Sequence, residues 1–123
     1  MSYFFNNNSY KSLSEEFTLE QRKQDADKVM KKYPERIPVI VEPLTKDIIE
    51  IDKKKYIVSK DMTFGQLIFI VRKRMNVDSS IALFFTVNSN LITGSSDLGT
   101  IYEENKNEDN FLYIKYTTEN TFG

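Results

Sequence analysis

Between Thr63 and Met75 the apolar residues fall at helical spacing, and on both sides of that segment the spacing changes to that of strands. Phe64, Leu67, Ile68, Ile70, Val71 and Met75 form one face of the expected helix against Arg72, Lys73 and Arg74, with Thr63 placed to cap it. Two strands are expected before it, Ile37-Pro38-Val39-Ile40-Val41 and Lys55-Tyr56-Ile57-Val58. Two more follow, Ala82 to Val87 and Phe111 to Tyr116, separated by a loop and a short helix around Leu98 to Asn105. Strand, strand, helix, strand, short helix, strand is an α+β order that allows one mixed sheet crossed by the central helix. Pro38 is most comfortable at an edge or a strand start, because it lacks an N–H for the ladder.

The two ends read differently. Residues from Met1 to about Lys11 are polar and Asn-rich, with Tyr3, Phe4 and Phe5 as apolar spots, and read as a flexible arm. From Ser14, a candidate cap, a helical pattern runs through Phe17, Val29 and Met30 and ends near Tyr33-Pro34. At the other end, Glu119-Asn120-Thr121-Phe122-Gly123 follows the last strand as a short tail. A terminal glycine leaves the carboxylate unhindered, so the end can thread a narrow cleft and be activated as an acyl group. A frayed terminus that happens to end in glycine fits the same residues.

Composition removes most chemistry. The chain has 123 residues, of which 40% are hydrophobic, enough for one domain with a core and too few for two ordinary ones. Seventeen basic residues against 18 acidic ones create no global field for nucleic acid. With no cysteine and no histidine, thiol nucleophiles, Cys or His metal sites and histidine acid–base catalysis are excluded, and an enzyme is not expected. No run approaches the roughly 20 apolar residues of a membrane span, nor does the N-terminus resemble a signal peptide, so a cytoplasmic (cytosolic) or nuclear protein is expected. Gly94 to Gly99 has the spacing of a phosphate loop but no lysine after Gly99, and reads as a plain loop.

Several long segments in one order carry a specific resemblance. Tyr33-Pro34-Glu35-Arg36-Ile37-Pro38-Val39-Ile40-Val41-Glu42, Ile51-Asp52-Lys53-Lys54-Lys55-Tyr56-Ile57-Val58, Thr63-Phe64-Gly65-Gln66-Leu67 and Ile70-Val71-Arg72-Lys73-Arg74 are four of them. The block from Ile101-Tyr102-Glu103-Glu104 through Glu108-Asp109-Asn110-Phe111-Leu112-Tyr113 and the glycine-ended tail complete the series. The chain resembles the autophagy-related protein 8 family, the ubiquitin-like modifiers that include GABARAP, from about Phe17 to Gly123. The resemblance implies an α+β, ubiquitin-like β-grasp with a four-stranded mixed sheet and two additional N-terminal helices. The corresponding division is an arm over residues 1–13, a ubiquitin-like domain with its N-terminal helical segment over 14–118, and a conjugation tail over 119–123.

It also implies a function. Gly123 would be joined to the amino group of phosphatidylethanolamine after adenylation and thioester capture by an activating enzyme and transfer by a conjugating enzyme, with Phe122 in tail recognition. A cysteine protease processes precursors and reverses the linkage in this family; no residue follows Gly123 here, as in a mature form or one encoded that way. No cofactor is implied. The lipidated protein would sit on autophagosomal and cytoplasmic vesicle membranes and bind cargo receptors and autophagy proteins through aromatic-x-x-aliphatic motifs. An unconjugated peptide-binding adaptor in trafficking or on the cytoskeleton is the competing expectation.

Carried over position by position, the resemblance implies an aromatic pocket of Asp25, Val29, Pro38, Ile40, Lys55, Ile57 and Phe111. It implies an aliphatic pocket of Tyr56, Val58, Met62, Leu67 and Ile70, and contacts from Lys53, Lys54 and Arg74 to an acidic flank. If Lys55 to Val58 lies on a sheet edge, its free N–H and C=O groups can pair with an extended peptide. By period alone, Ile40, Ile57 and Leu67 fit a core better than a pocket, and the basic triplets fit solvated faces. Ser59 stands where the family usually has proline, and Met62 where it has leucine. Leu91-Ile92-Thr93-Gly94 replaces a common proline pair, and with Gly99 it is expected to loosen the segment before Ile101. Thr86 replaces a frequent aromatic, so a second binding surface used by some relatives is not expected here.

Overall fold

The computed structural model describes residues 11–45, 51–75 and 77–118. The arm up to residue 10, Phe122 and Gly123 lie outside those residues. Four helices, α1 (Leu13–Glu16), α2 (Leu19–Lys32), α3 (Phe64–Met75) and α4 (Leu98–Asn105), accompany five strands among the described residues. The strands are β1 (Arg36–Pro43), β2 (Lys55–Ser59), β3 (Phe84–Val87), β4 (Asn90–Leu91) and β5 (Leu112–Thr117).

The N-terminal helical segment is broken in two at Phe17, whose backbone is extended at φ −131 and ψ 147. Each piece has its own reciprocal cap. The Ser12 hydroxyl accepts from the Glu15 N–H while the Glu15 carboxylate accepts from the Ser12 N–H, and Thr18 and Gln21 repeat the arrangement. Ser14 is therefore not the cap but a residue inside α1. Ser12 wins because a glutamate lies three residues on, whereas the residue three beyond Ser14 is Phe17. Thr63 does cap α3, through the same box with Gln66.

The sheet runs in the order β2-β1-β5-β3-β4, with β1 and β5 parallel and the other pairs antiparallel. The four long strands match those expected, and a fifth, two-residue strand is added beside β3. It is made by a tight turn in which Asn88 and Ser89 take φ values of 49 and 69, the left-handed pair that matches strand twist. Pro38 lies inside the sheet order, on β1, rather than at an edge. It is tolerated because the β1–β5 ladder starts one residue later, at Val39 with Leu112, and its missing N–H points to that side.

Alternation sorts the strands into two faces. Ile37, Val39 and Val41 on β1, Tyr56 and Val58 on β2, and Leu112, Ile114 and Tyr116 on β5 pack with Phe64, Leu67, Val71 and Met75 of α3. Leu98, Ile101 and Tyr102 of α4 complete this core. Fully burying one such side chain contributes about 1.5 to 3 kcal/mol. The opposite face carries a smaller cluster of Ile40 and Phe111 with Ala26 of α2, flanked by Leu13 and Tyr113.

The segment before Ile101 is not loosened by its glycines. Phe64 and Gly65 donate to Ser96 and Gly94, Leu98 donates to the Met62 carbonyl and Gly99 to the Lys60 carbonyl. A Cβ on Gly99 would lie 3.2 Å from Lys60 Cβ and 3.3 Å from its carbonyl oxygen, so glycine there permits close contact of α4 with the turn after β2.

Candidate functional site

Strand β2 is an edge strand, paired only with β1 among the described residues. Its hydrogen-bond phase follows from two flanking bonds, Val41 N–H to Lys54 C=O at 2.8 Å and Lys60 N–H to Glu35 C=O at 3.3 Å. In an antiparallel pair bonded and unbonded positions alternate, so Tyr56 and Val58 bond to β1 while Lys55, Ile57 and Ser59 direct their N–H and C=O groups outward. Those outward groups are what an added peptide strand requires.

Side chains alternate with the same period. Tyr56 and Val58 face α3, and Lys55 and Ile57 face α2. On the α2 side lie the residues expected to form the aromatic pocket. Ile40 and Phe111 are fully buried, Val29 and Pro38 are buried, and Ile57 opposite Pro38 is half-buried. Lys55 Nζ and Asp25 Oδ2 meet at 2.8 Å, about two-fifths exposed each, tying β2 to α2. Such an exposed pair adds on the order of 0 to 1 kcal/mol and can exchange partners readily.

The expected aliphatic set divides. Tyr56, Val58 and Leu67 belong to the main core, whereas Met62 is half-buried and Ile70 is 43% exposed. Met62 and Ile70 line an open cavity of about 680 Å³ with Thr63, Gly65, Gln66, Phe69 and Gly94. The Tyr56 hydroxyl is buried without a hydrogen-bond partner among the described residues. Burial raises its pKa, with Arg74 opposing and Asp52 adding to the rise.

The three cations are engaged. Lys53 Nζ stands 5.0 Å from the Tyr56 ring centre, Lys54 Nζ donates to the Lys11 carbonyl and to Glu16, and Arg74 Nε contacts Asp52 at 3.1 Å. Lys54 thereby anchors α1 to the approach to β2. The Arg74–Asp52 pair is half or more exposed on both sides, so a ligand carboxylate can compete for the guanidinium.

Sequence reasoning missed the group that fastens α2 beneath this edge. Asp109, fully buried, accepts from Arg22 Nε at 2.9 Å, from the Phe111 N–H at 2.9 Å and from the Tyr113 hydroxyl. Burial first, then the bond to Asp109, pushes the Tyr113 phenol far above its ordinary pKa. Glu42, also buried, accepts from the Leu13 N–H at 2.7 Å and from Lys115 at 2.8 Å, holding the start of α1 against the sheet. A charged residue within a strand-like run, as at Glu42, was the available signal; for Asp109 the pairing across the chain left none.

A mixed sheet crossed by α3, with two helices on its other face and an open edge at β2, defines a ubiquitin-like domain carrying N-terminal helices. The family described as "Autophagy protein Atg8 ubiquitin like" matches residues 21–123. Autophagy-related protein 8 of Schizosaccharomyces pombe is 46% identical over 110 residues, covering 89% of this chain and 91% of the yeast protein. Autophagy-related protein 8B of Oryza sativa is 49% identical over 107 residues, covering 86% of this chain and 90% of the rice protein. The crystal structure of Trypanosoma brucei ATG8 superposes with a TM-score of 0.79 at 39% identity, covering 93% of this chain and all of that one. The chain belongs to the Atg8 family of ubiquitin-like autophagy proteins.

Proposed function

We propose that this protein is a modifier conjugated through Gly123 to phosphatidylethanolamine, which displays a peptide-binding edge on autophagosomal and vesicle membranes. The observation that carries the reading is the open β2 edge in a chain of this family, with Lys55, Ile57 and Ser59 directing backbone groups outward. An aromatic-x-x-aliphatic peptide adds as a strand there. Its aromatic side chain enters between α2 and β2, among Asp25, Val29, Pro38, Ile40, Lys55, Ile57 and Phe111. Its aliphatic side chain enters at Met62 and Ile70 over the floor of Tyr56, Val58 and Leu67.

The chain itself is not an enzyme on this reading. Activating and conjugating enzymes supply the thiols, a cysteine protease reverses the linkage, and Phe122 guides the tail through them. Gly123 contributes its carboxylate alone. The two acyl chains of one lipid give stable anchoring where a single chain is marginal. Lys53, Lys54 and Arg74 receive acidic residues preceding the motif by exchanging their present contacts.

The test is intact mass after incubation with the activating and conjugating enzymes, ATP and phosphatidylethanolamine liposomes, beside a Gly123-deleted control. A gain of one lipid less one water, absent from the control, supports the modifier. No gain with active enzymes leaves an unconjugated peptide-binding adaptor as the reading to pursue.

A further inference from the structure

The two N-terminal helices enclose a cleft that the proposed motif site does not use. Leu13 of α1 and Phe17 at its end face Gln21, Arg22 and Asp25 of α2 around a cavity of about 240 Å³. Its walls are set by the fold. Arg22 donates to the Phe17 carbonyl at 2.8 Å as well as to Asp109, and Phe17 is left 45% exposed at the break between the helices. The cleft adjoins the proposed aromatic pocket: Asp25 belongs to both, and Leu13 packs against the cluster of Ala26, Ile40 and Phe111.

The chain supplies an occupant at the right place. Residues 1–10 lie outside the described residues, but the point where they join the fold is fixed, because the Lys11 carbonyl accepts from Lys54 Nζ at 2.8 Å, just before β2 begins. The segment therefore departs beside the mouth of the aromatic pocket. It carries three consecutive aromatics, Tyr3-Phe4-Phe5, and no charged side chain. From Phe5 to Lys11 the chain can span at most about 20 Å, while Gln21 and Asp25 are only about 6 Å apart along α2, so reach does not limit contact. Asn6, Asn7 and Asn8 between them suit a reversal of direction.

Charge distinguishes this occupant from others. Arg22 and Asp25 in the cleft wall are already paired, with Asp109 and Lys55, so the cleft offers apolar surface and asks for no counter-charge. An uncharged aromatic run fits it; the acidic flank of a partner peptide does not. A tethered segment also acts at an effective concentration in the millimolar range, which holds a contact too weak to retain a free peptide. We propose that the Tyr3-Phe4-Phe5 run docks in the α1–α2 cleft of its own chain and covers the entrance to the aromatic pocket. Resting on the proposed motif binding at β2, this makes the arm a built-in competitor, which lowers apparent peptide affinity by the fraction of molecules whose entrance is open.

Amide NMR spectra and calorimetry on the full chain test this. Replacing Tyr3, Phe4 and Phe5 together by serine should move the amide signals of Leu13, Phe17, Gln21, Arg22 and Asp25, and the difference should persist on dilution. An acidic-flanked aromatic-x-x-aliphatic peptide should bind that variant about threefold or more tightly than the unaltered protein. Phe17→Ser, at an exposed position outside the proposed pocket, should give the same gain, and combining it with the arm substitutions should add nothing further. Cleft signals that stay in place, or differences that vanish on dilution as contact with a second copy would, overturn the docking. Moved signals with peptide affinity unchanged to within about 1.5-fold overturn the competition. A peptide that binds none of these proteins overturns the motif reading and the competition with it, while the spectra still decide the docking.

Discussion

Arg22 and Asp109 lie 87 positions apart in the chain and meet at 2.9 Å, with the carboxylate fully buried and the guanidinium nearly so. The contact joins α2 to the turn that leads into β5, and the same carboxylate holds the Phe111 N–H and the Tyr113 hydroxyl. Removing one member of a buried pair leaves the other uncompensated, at about 3 to 5 kcal/mol. Asp109→Ala should therefore lower unfolding free energy by that amount in urea titrations. A loss under about 1 kcal/mol would show that water replaces the carboxylate and that the pair is not structural.

Tyr56 presents the opposite case, a buried hydroxyl with no partner among the described residues. Tyr56→Phe removes an unsatisfied polar atom while keeping the ring under Lys53, and should leave stability unchanged or raise it by about 1 kcal/mol. Thermal and urea unfolding would check this. A clear destabilisation would mean that the hydroxyl is satisfied by water in solution.

The hydrogen-bond phase of β2 gives a sharper test of peptide addition than side-chain truncation does. Ile57 directs its N–H away from β1, so Ile57→Pro deletes a donor that the fold does not use, at an edge where proline is admissible. Motif-peptide affinity should fall more than tenfold, or by more than about 1.4 kcal/mol, with the circular dichroism spectrum retained. Undiminished affinity would place the peptide elsewhere. Replacing Tyr56 and Ile57 together by alanine should cost at least as much affinity.

Acid sensitivity has a local contribution at α4. Asp97 accepts from the Thr100 N–H at 2.8 Å as the helix cap, and that bond lowers its folded-state pKa. A depressed carboxylate stabilises the fold above its unfolded pKa, near 3.9 for aspartate, and loses that contribution as pH falls through the lower folded value. Asp97→Asn keeps a capping side chain and removes the titration, so its melting temperature should fall less steeply between about pH 4 and pH 2. Parallel slopes for the two proteins would locate the acid sensitivity elsewhere.

Periodicity made α3 and the four long strands legible, because Phe64, Leu67, Val71 and Met75 keep helical spacing and β1, β2 and β5 alternate over a buried face. It failed where the determinant was a single residue or a distant one. The break at Phe17 depends on which serine finds a glutamate three residues on, and β4 is two exposed residues with no pattern to read. Gly99 reads as a weak point in a helix until Lys60 is seen against it. Nor can spacing distinguish Leu67, sealed in the core, from Ile70, open to solvent on the same helix.

The alternation along β2 also bears on how such a chain can change over generations. Substitutions at Tyr56 and Val58 disturb the folded core, whereas Lys55, Ile57 and Ser59 share the strand but project backbone or side chain away from it. Variation at the second set is nearly decoupled from folding. A duplicated copy can thus drift towards a new clientele by altering alternate letters of one five-residue word, without first having to be rescued from collapse.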